Sequence, residues 1–84
     1  MEATQEIQEG VDVRSSEGDR LGVVEAIRTD PVSGQQTSFV VKTGFWIFGK
    51  NKMLSTDTVE RVDADAIVVG ISKDELRGIP QFDV

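Results

Sequence analysis

An all-β fold, a small antiparallel β-barrel of five to six short strands with a short C-terminal helix, follows from three features of this 84-residue chain. Short stretches rich in valine and isoleucine recur along it, separated by turn-forming clusters of Gly, Asp, Ser and Pro. Only one segment, Ser72-Lys73-Asp74-Glu75, carries the signature of a helix start. The chain is also too short for more than one domain, and a chain of this size buries only about 60% of the surface its unfolded form exposes. A closed roll of short strands suits that size, because closure removes most of the unpaired strand edges.

Each element has a local cause. Residues 1–9 are predicted as a flexible leader, with the domain proper at 10–84: Glu2, Glu6 and Glu9 repel one another, and only Ile7 offers an apolar anchor. Val11 and Val13 alternate with Asp12 and Arg14, the pattern of a strand with one buried face. Ser15 to Asp19 forms a turn in which Gly18 can take positive φ. Leu21 to Ile27 is β-branched, but its alternation is imperfect and Gly22 interrupts it, so a bent or bulged strand serving two faces is expected. Asp30-Pro31-Val32-Ser33-Gly34 is the strongest turn signal: proline presets φ, and the Asp30 carboxylate can accept from the amides that follow. Strands are predicted at Thr37–Lys42 and Lys52–Ser55, and a closing hairpin at Val59–Val62 and Ile67–Ile71. Glu75 completes the capping box begun by Ser72, and Gly78 and Pro80 end the helix after a turn or two.

Composition excludes several kinds of chemistry. The chain has no histidine, cysteine or tyrosine. That removes Ser-His-Asp and Cys-His nucleophile pairs, thiolate zinc sites and disulfides. Asp63-Ala64-Asp65 lacks the further ligands and the glycine of an EF-hand loop. Ser15, Ser16, Ser55 and Thr56 have only lysine as a conceivable base. No catalytic residue, metal ligand, cofactor or small-molecule substrate is therefore inferred, and the chain is read as a non-enzyme. The acidic, polar start is not a signal peptide, and no apolar run approaches the ~20 residues of a membrane span, so a cytoplasmic location is expected.

Between Gly10 and Leu76 the residues resemble a known family. Ser16-Glu17-Gly18-Asp19-Arg20-Leu21-Gly22-Val23-Val24 is similar to the opening of a PRC-barrel domain. Asp30-Pro31, Gly34 and Phe39-Val40-Val41 resemble its second hairpin, Val59-Glu60-Arg61-Val62-Asp63 with Ile67-Val68-Val69 its closing one, and Ser72 to Leu76 the short helix that follows. Leu54-Ser55-Thr56 departs from the aliphatic-proline pair that many members carry there. The resemblance implies a barrel used for binding, with no shared catalytic residues, and is compatible with a homodimer. The photosynthetic reaction-centre H subunit and a ribosome maturation factor belong to this superfamily.

The segment most suggestive of function is Lys42 to Met53. It holds three lysines and no acid, a formal charge of +3 against -9 for the remainder of a chain whose net charge is -6. It also contains Phe45-Trp46-Ile47-Phe48. One reading has these four residues plug and cover a barrel end. The other makes Phe45, Trp46 and Phe48 a partner-binding tip with Lys50 and Lys52 as its charged rim, facing acids such as Asp63 and Asp65 on a second copy. A protein-interaction module, self-associating as a homodimer, is the expected function. An RNA-processing or ribosome-associated accessory and a peripheral membrane scaffold are the alternatives. Nucleic acid is weakly supported, since each phosphate contact needs a cation and the chain is acidic, and four apolar residues are few for membrane attachment.

Overall fold

The computed structural model describes residues 7–44 and 50–81. Six strands form one curled sheet, a half-barrel: β1 (Asp12–Ser15), β2 (Arg20–Thr29), β3 (Gln36–Thr43), β4 (Lys50–Ser55), β5 (Val59–Val62) and β6 (Ala66–Val69). A 3₁₀ turn at Thr56–Thr58 joins β4 to β5, and α1 (Lys73–Arg77) follows β6. The spatial order is β4-β3-β2-β1-β6-β5.

The turns form for the reasons legible in their residues. Ser15 is buried, and its hydroxyl oxygen accepts from the amides of Glu17 and Asp19 at 3.2 and 3.1 Å, which sets up the turn into β2. At the next turn the Asp30 carboxylate accepts from the Val32 amide at 2.9 Å, and the Gly34 amide closes onto the Asp30 carbonyl. Gly18 and Gly34 take φ of 96° and 76°, a region that costs side-chain-bearing residues strain. The capping box of α1 is complete in both directions: Ser72 Oγ accepts from the Glu75 amide at 3.1 Å, and Glu75 Oε1 accepts from the Ser72 amide at 2.8 Å.

β2 bends as its sequence suggests. Its register slips once against β1, where Leu21 is the extra residue, and twice against β3, where Glu25 is extra on β2 and Thr37 is extra on β3. Bulges reset the alternation of faces. Leu21 and Val24 are thereby both buried and Ile27 packs partly against the same core, at a spacing of three that a regular strand would not give. Gly22 sits between the Leu21 and Glu25 bulges. A Cβ there would collide with the Lys42 carbonyl oxygen and lie 2.9 Å from Val41 Cγ1. The position therefore accepts only glycine if β3 is to pass this close.

One pairing was not foreseen. The antiparallel hairpins stand, but β1 and β6 pair parallel, with Val13 opposite Ile67 and Ser15 opposite Val69. Turn chemistry specifies neighbours in sequence; this pair joins strands separated by most of the chain, and only a shared core selects it. That core holds Val13, Leu21, Val24, Phe39, Val41, Leu54, Ile67, Val69 and Leu76. Ile7 belongs to it too. It is 5% exposed, its amide donates to Gln36 Oε1, and Gln36 Nε2 donates back to its carbonyl, both at 2.8 Å. Ile7, inside the segment expected to be a leader, is thus tied to β3 by Gln36; residues 1–6 lie outside the described residues.

Both outer strands are guarded. β5 has four residues, with Glu60 and Arg61 exposed. β4 points Lys52 inward, and Gln81 makes a single bridge to Lys52 along the outer edge. Short edges and inward charges are devices that oppose uncontrolled edge-to-edge pairing.

Candidate functional site

The register of β3 against β4 builds the site. Along the face turned to the core, three pairs succeed one another: Phe39 with Leu54, Val41 with Lys52, and Thr43 with Lys50. The first pair is wholly apolar and buried, the second places a lysine opposite a fully buried valine, and the third is polar. The inside of the sheet therefore turns from dry to cationic over four residues of strand, because side chains two apart share a face.

Lys52 is the pivot of this change. It is only 8% exposed. Its stem lies along the core and its ammonium donates to the Ile79 carbonyl, just beyond α1. No carboxylate among the described residues pairs with it. The sequence expectation placed Lys52 on an exposed rim with Lys50. Alternation along β4 separates them: Lys50 ends the strand in solvent, whereas Lys52 is one pair deeper, beside Leu54. A long aliphatic stem permits that burial as long as the head finds an acceptor.

The β4 end opens into a groove of about 680 Å³. Among the described residues it is lined by Arg20, Lys42, Lys50, Lys52, Lys73 and Arg77, six of the nine basic residues in the chain, and by no carboxylate-bearing residue. Leu21, Val23 and Leu76 supply apolar lining, and Gly22 and Gly44 keep the walls low. The basic residues come from β2, β3, β4 and α1. Two of them have acidic partners outside the groove: Arg20 lies 3.2 Å from Asp12, and Arg77 lies 3.6 Å from Asp74. The sequence signal for the groove was the lysine run 42–52; Arg20, Lys73 and Arg77 were not joined to it, because nothing local connects them to that run.

Phe45, Trp46 and Phe48 lie outside the described residues. Their neighbours in sequence on both sides, Gly44 and Lys50, line the groove.

The remaining candidates have structural employment. Ser55 Oγ accepts from the Asp57 amide at 3.1 Å, and Thr56 Oγ1 donates to the carbonyls of Gln36 and Thr37, so these hydroxyls, like that of Ser15, hold turns. Asp63 takes both of its hydrogen bonds from Arg61 Nε, at 3.1 and 3.2 Å, on the exposed β5–β6 hairpin. Among the described residues no group of three acidic, histidine or cysteine side chains is placed to hold a metal ion. Nor is any described helix long and apolar enough to cross a membrane.

No curated protein matches the chain. Residues 9–76, most of the chain, match the family model of the PRC-barrel domain. The opening turn, the bent second strand, the two later hairpins and the capped helix all fall inside that span, and the chain belongs to the PRC-barrel domain family.

Proposed function

We propose that the chain is a cytoplasmic, non-enzymatic protein-association module that forms a homodimer. Trp46 and Phe48, with Phe45, supply the apolar contact, and Lys50 supplies the charged rim. The observation that carries this reading is the separation of charge across the sheet. Among the described residues, basic side chains and no carboxylate line the groove at the β4 end, next in sequence to the aromatic segment, while Glu60, Asp63 and Asp65 are exposed at the β5 end. A two-fold arrangement lets each copy offer both surfaces, so one mutual contact satisfies the two charges twice. Aromatic residues at the centre with a polar rim around them are the arrangement that protein interfaces favour. Lys52 takes no part in the rim, because its ammonium is already engaged within the subunit.

Light scattering tests the reading. The wild type is expected to be a dimer and Trp46→Ala a monomer. Lys50→Glu is expected to weaken the dimer, and adding Asp65→Lys to restore it. A wild type that stays monomeric at high concentration removes the proposal.

A further inference from the structure

A lysine that is 8% exposed, whose ammonium meets only a carbonyl, is an unusual way to end a hydrophobic core. Burying an ionised group is costly unless it is neutralised or fully hydrogen-bonded. An ammonium has three donors, and the Ile79 carbonyl takes one. Five further cationic side chains line the groove with it and, among the described residues, no carboxylate does, in a chain whose overall charge is -6. Three of them, Lys42, Lys50 and Lys73, have no hydrogen-bond or ion-pair partner for the side chain among the described residues. Like charges gathered in this way repel one another in the empty protein, and a bound anion relieves that repulsion. The groove volume, about 680 Å³, is that of a small-molecule site, and its lining includes an apolar floor of Leu21, Val23 and Leu76.

We infer that this groove is a binding site for a compact, multiply charged phosphate anion, an oligophosphate or the phosphate chain of a nucleotide, with Lys52 at its base and Lys50 and Lys73 at its mouth. Lysine binds phosphate as a point charge with rotatable donors and needs no planar partner. A single carboxylate would neutralise one of the lysines, whereas an oligophosphate matches several. Nucleic acid fits less well: a polymer would run out of the groove onto an acidic surface. Anion binding here does not require self-association, and because Lys50 serves both surfaces the anion competes with the partner's acids for it.

Amide chemical shifts and calorimetry on the full chain, titrated with tripolyphosphate, test the inference. Saturable one-to-one binding is expected, with shifts centred on Leu21 to Val23, Lys42 to Gly44 and Lys73 to Arg77, and with no such effect from sodium chloride at matched ionic strength. The double variant Lys50→Gln, Lys73→Gln, at two exposed positions, should bind at least about tenfold more weakly, as expected for losing two charge-assisted contacts, with an unchanged fold. A parallel titration with ATP separates the sources. Tighter binding than tripolyphosphate places a base on the apolar floor; equal or weaker binding leaves the phosphate chain alone as the ligand. Repeating the titration on Trp46→Ala separates this site from the dimer, because binding persists in a monomer. No saturable binding, shifts spread over the whole surface, or undiminished binding by the double variant overturns the inference.

Discussion

The two ends of the β3–β4 ladder obey the same alternation and serve opposite purposes. At one end Phe39 and Leu54 face each other in the buried core. Two pairs further on, Thr43 and Lys50 face each other at the mouth of a basic groove. Between them Val41 and Lys52 make the transition, a lysine head carried past the core on an aliphatic stem. The difference teaches that in so small a domain the binding surface is not added to the core but is its continuation. The same inward face that supplies stability at one end runs out of apolar residues at the other, and the positions left over become a site.

Substitutions at the two ends should therefore separate stability from binding. Phe39→Ala removes a fully buried aromatic and should cost about 3–5 kcal/mol in denaturant unfolding while leaving tripolyphosphate affinity of the folded fraction unchanged. Gly22→Val pushes against the Lys42 carbonyl and Val41, and should cost about 1–3 kcal/mol of overpacking strain; because Gly22 also lines the groove, this variant should lose both stability and anion binding. Lys52→Ala lies at the transition. It leaves the Ile79 carbonyl without its donor, so a loss of about 1–2 kcal/mol is expected, together with faster hydrogen exchange at Gln81, whose bridge to β4 shares the same residue. Ser72→Ala removes half of the capping box and should cost about 1 kcal/mol, read as fraying of α1 ahead of global unfolding. Arg61→Ala breaks only the exposed pair with Asp63 and should change stability by less than about 1 kcal/mol. If Phe39→Ala weakened anion binding by the folded protein as much as Lys50→Gln, Lys73→Gln, the division between the two ends would be gone.

Much of the fold was legible because its causes are local. The Asp30 turn, the Ser15 turn, the bent β2 and the capped α1 each depend on side chains bonding to backbone groups a few residues away, and each formed where those residues stand. Ile7 was singled out as the apolar anchor of residues 1–9, but nothing nearby in sequence predicts that Gln36 will hold its backbone from 29 residues away. The basic run 42–52 was visible as a charge anomaly, yet which of its lysines face outward was not. That depended on the register of β4 against β3, and a shift of one residue would have exchanged Lys52 for Asn51.

The sequence alone specified an all-β domain of short strands, its turns, its single capped helix and a cationic, aromatic segment in an otherwise acidic chain, because these follow from backbone preferences and alternation over a few residues. Tertiary structure decided the parallel union of β1 with β6, the burial of Lys52 and the gathering of Arg20, Lys73 and Arg77 around the lysine run. Those outcomes depend on which distant apolar faces share one core, and the curl of the sheet then brings together charges that are far apart along the chain.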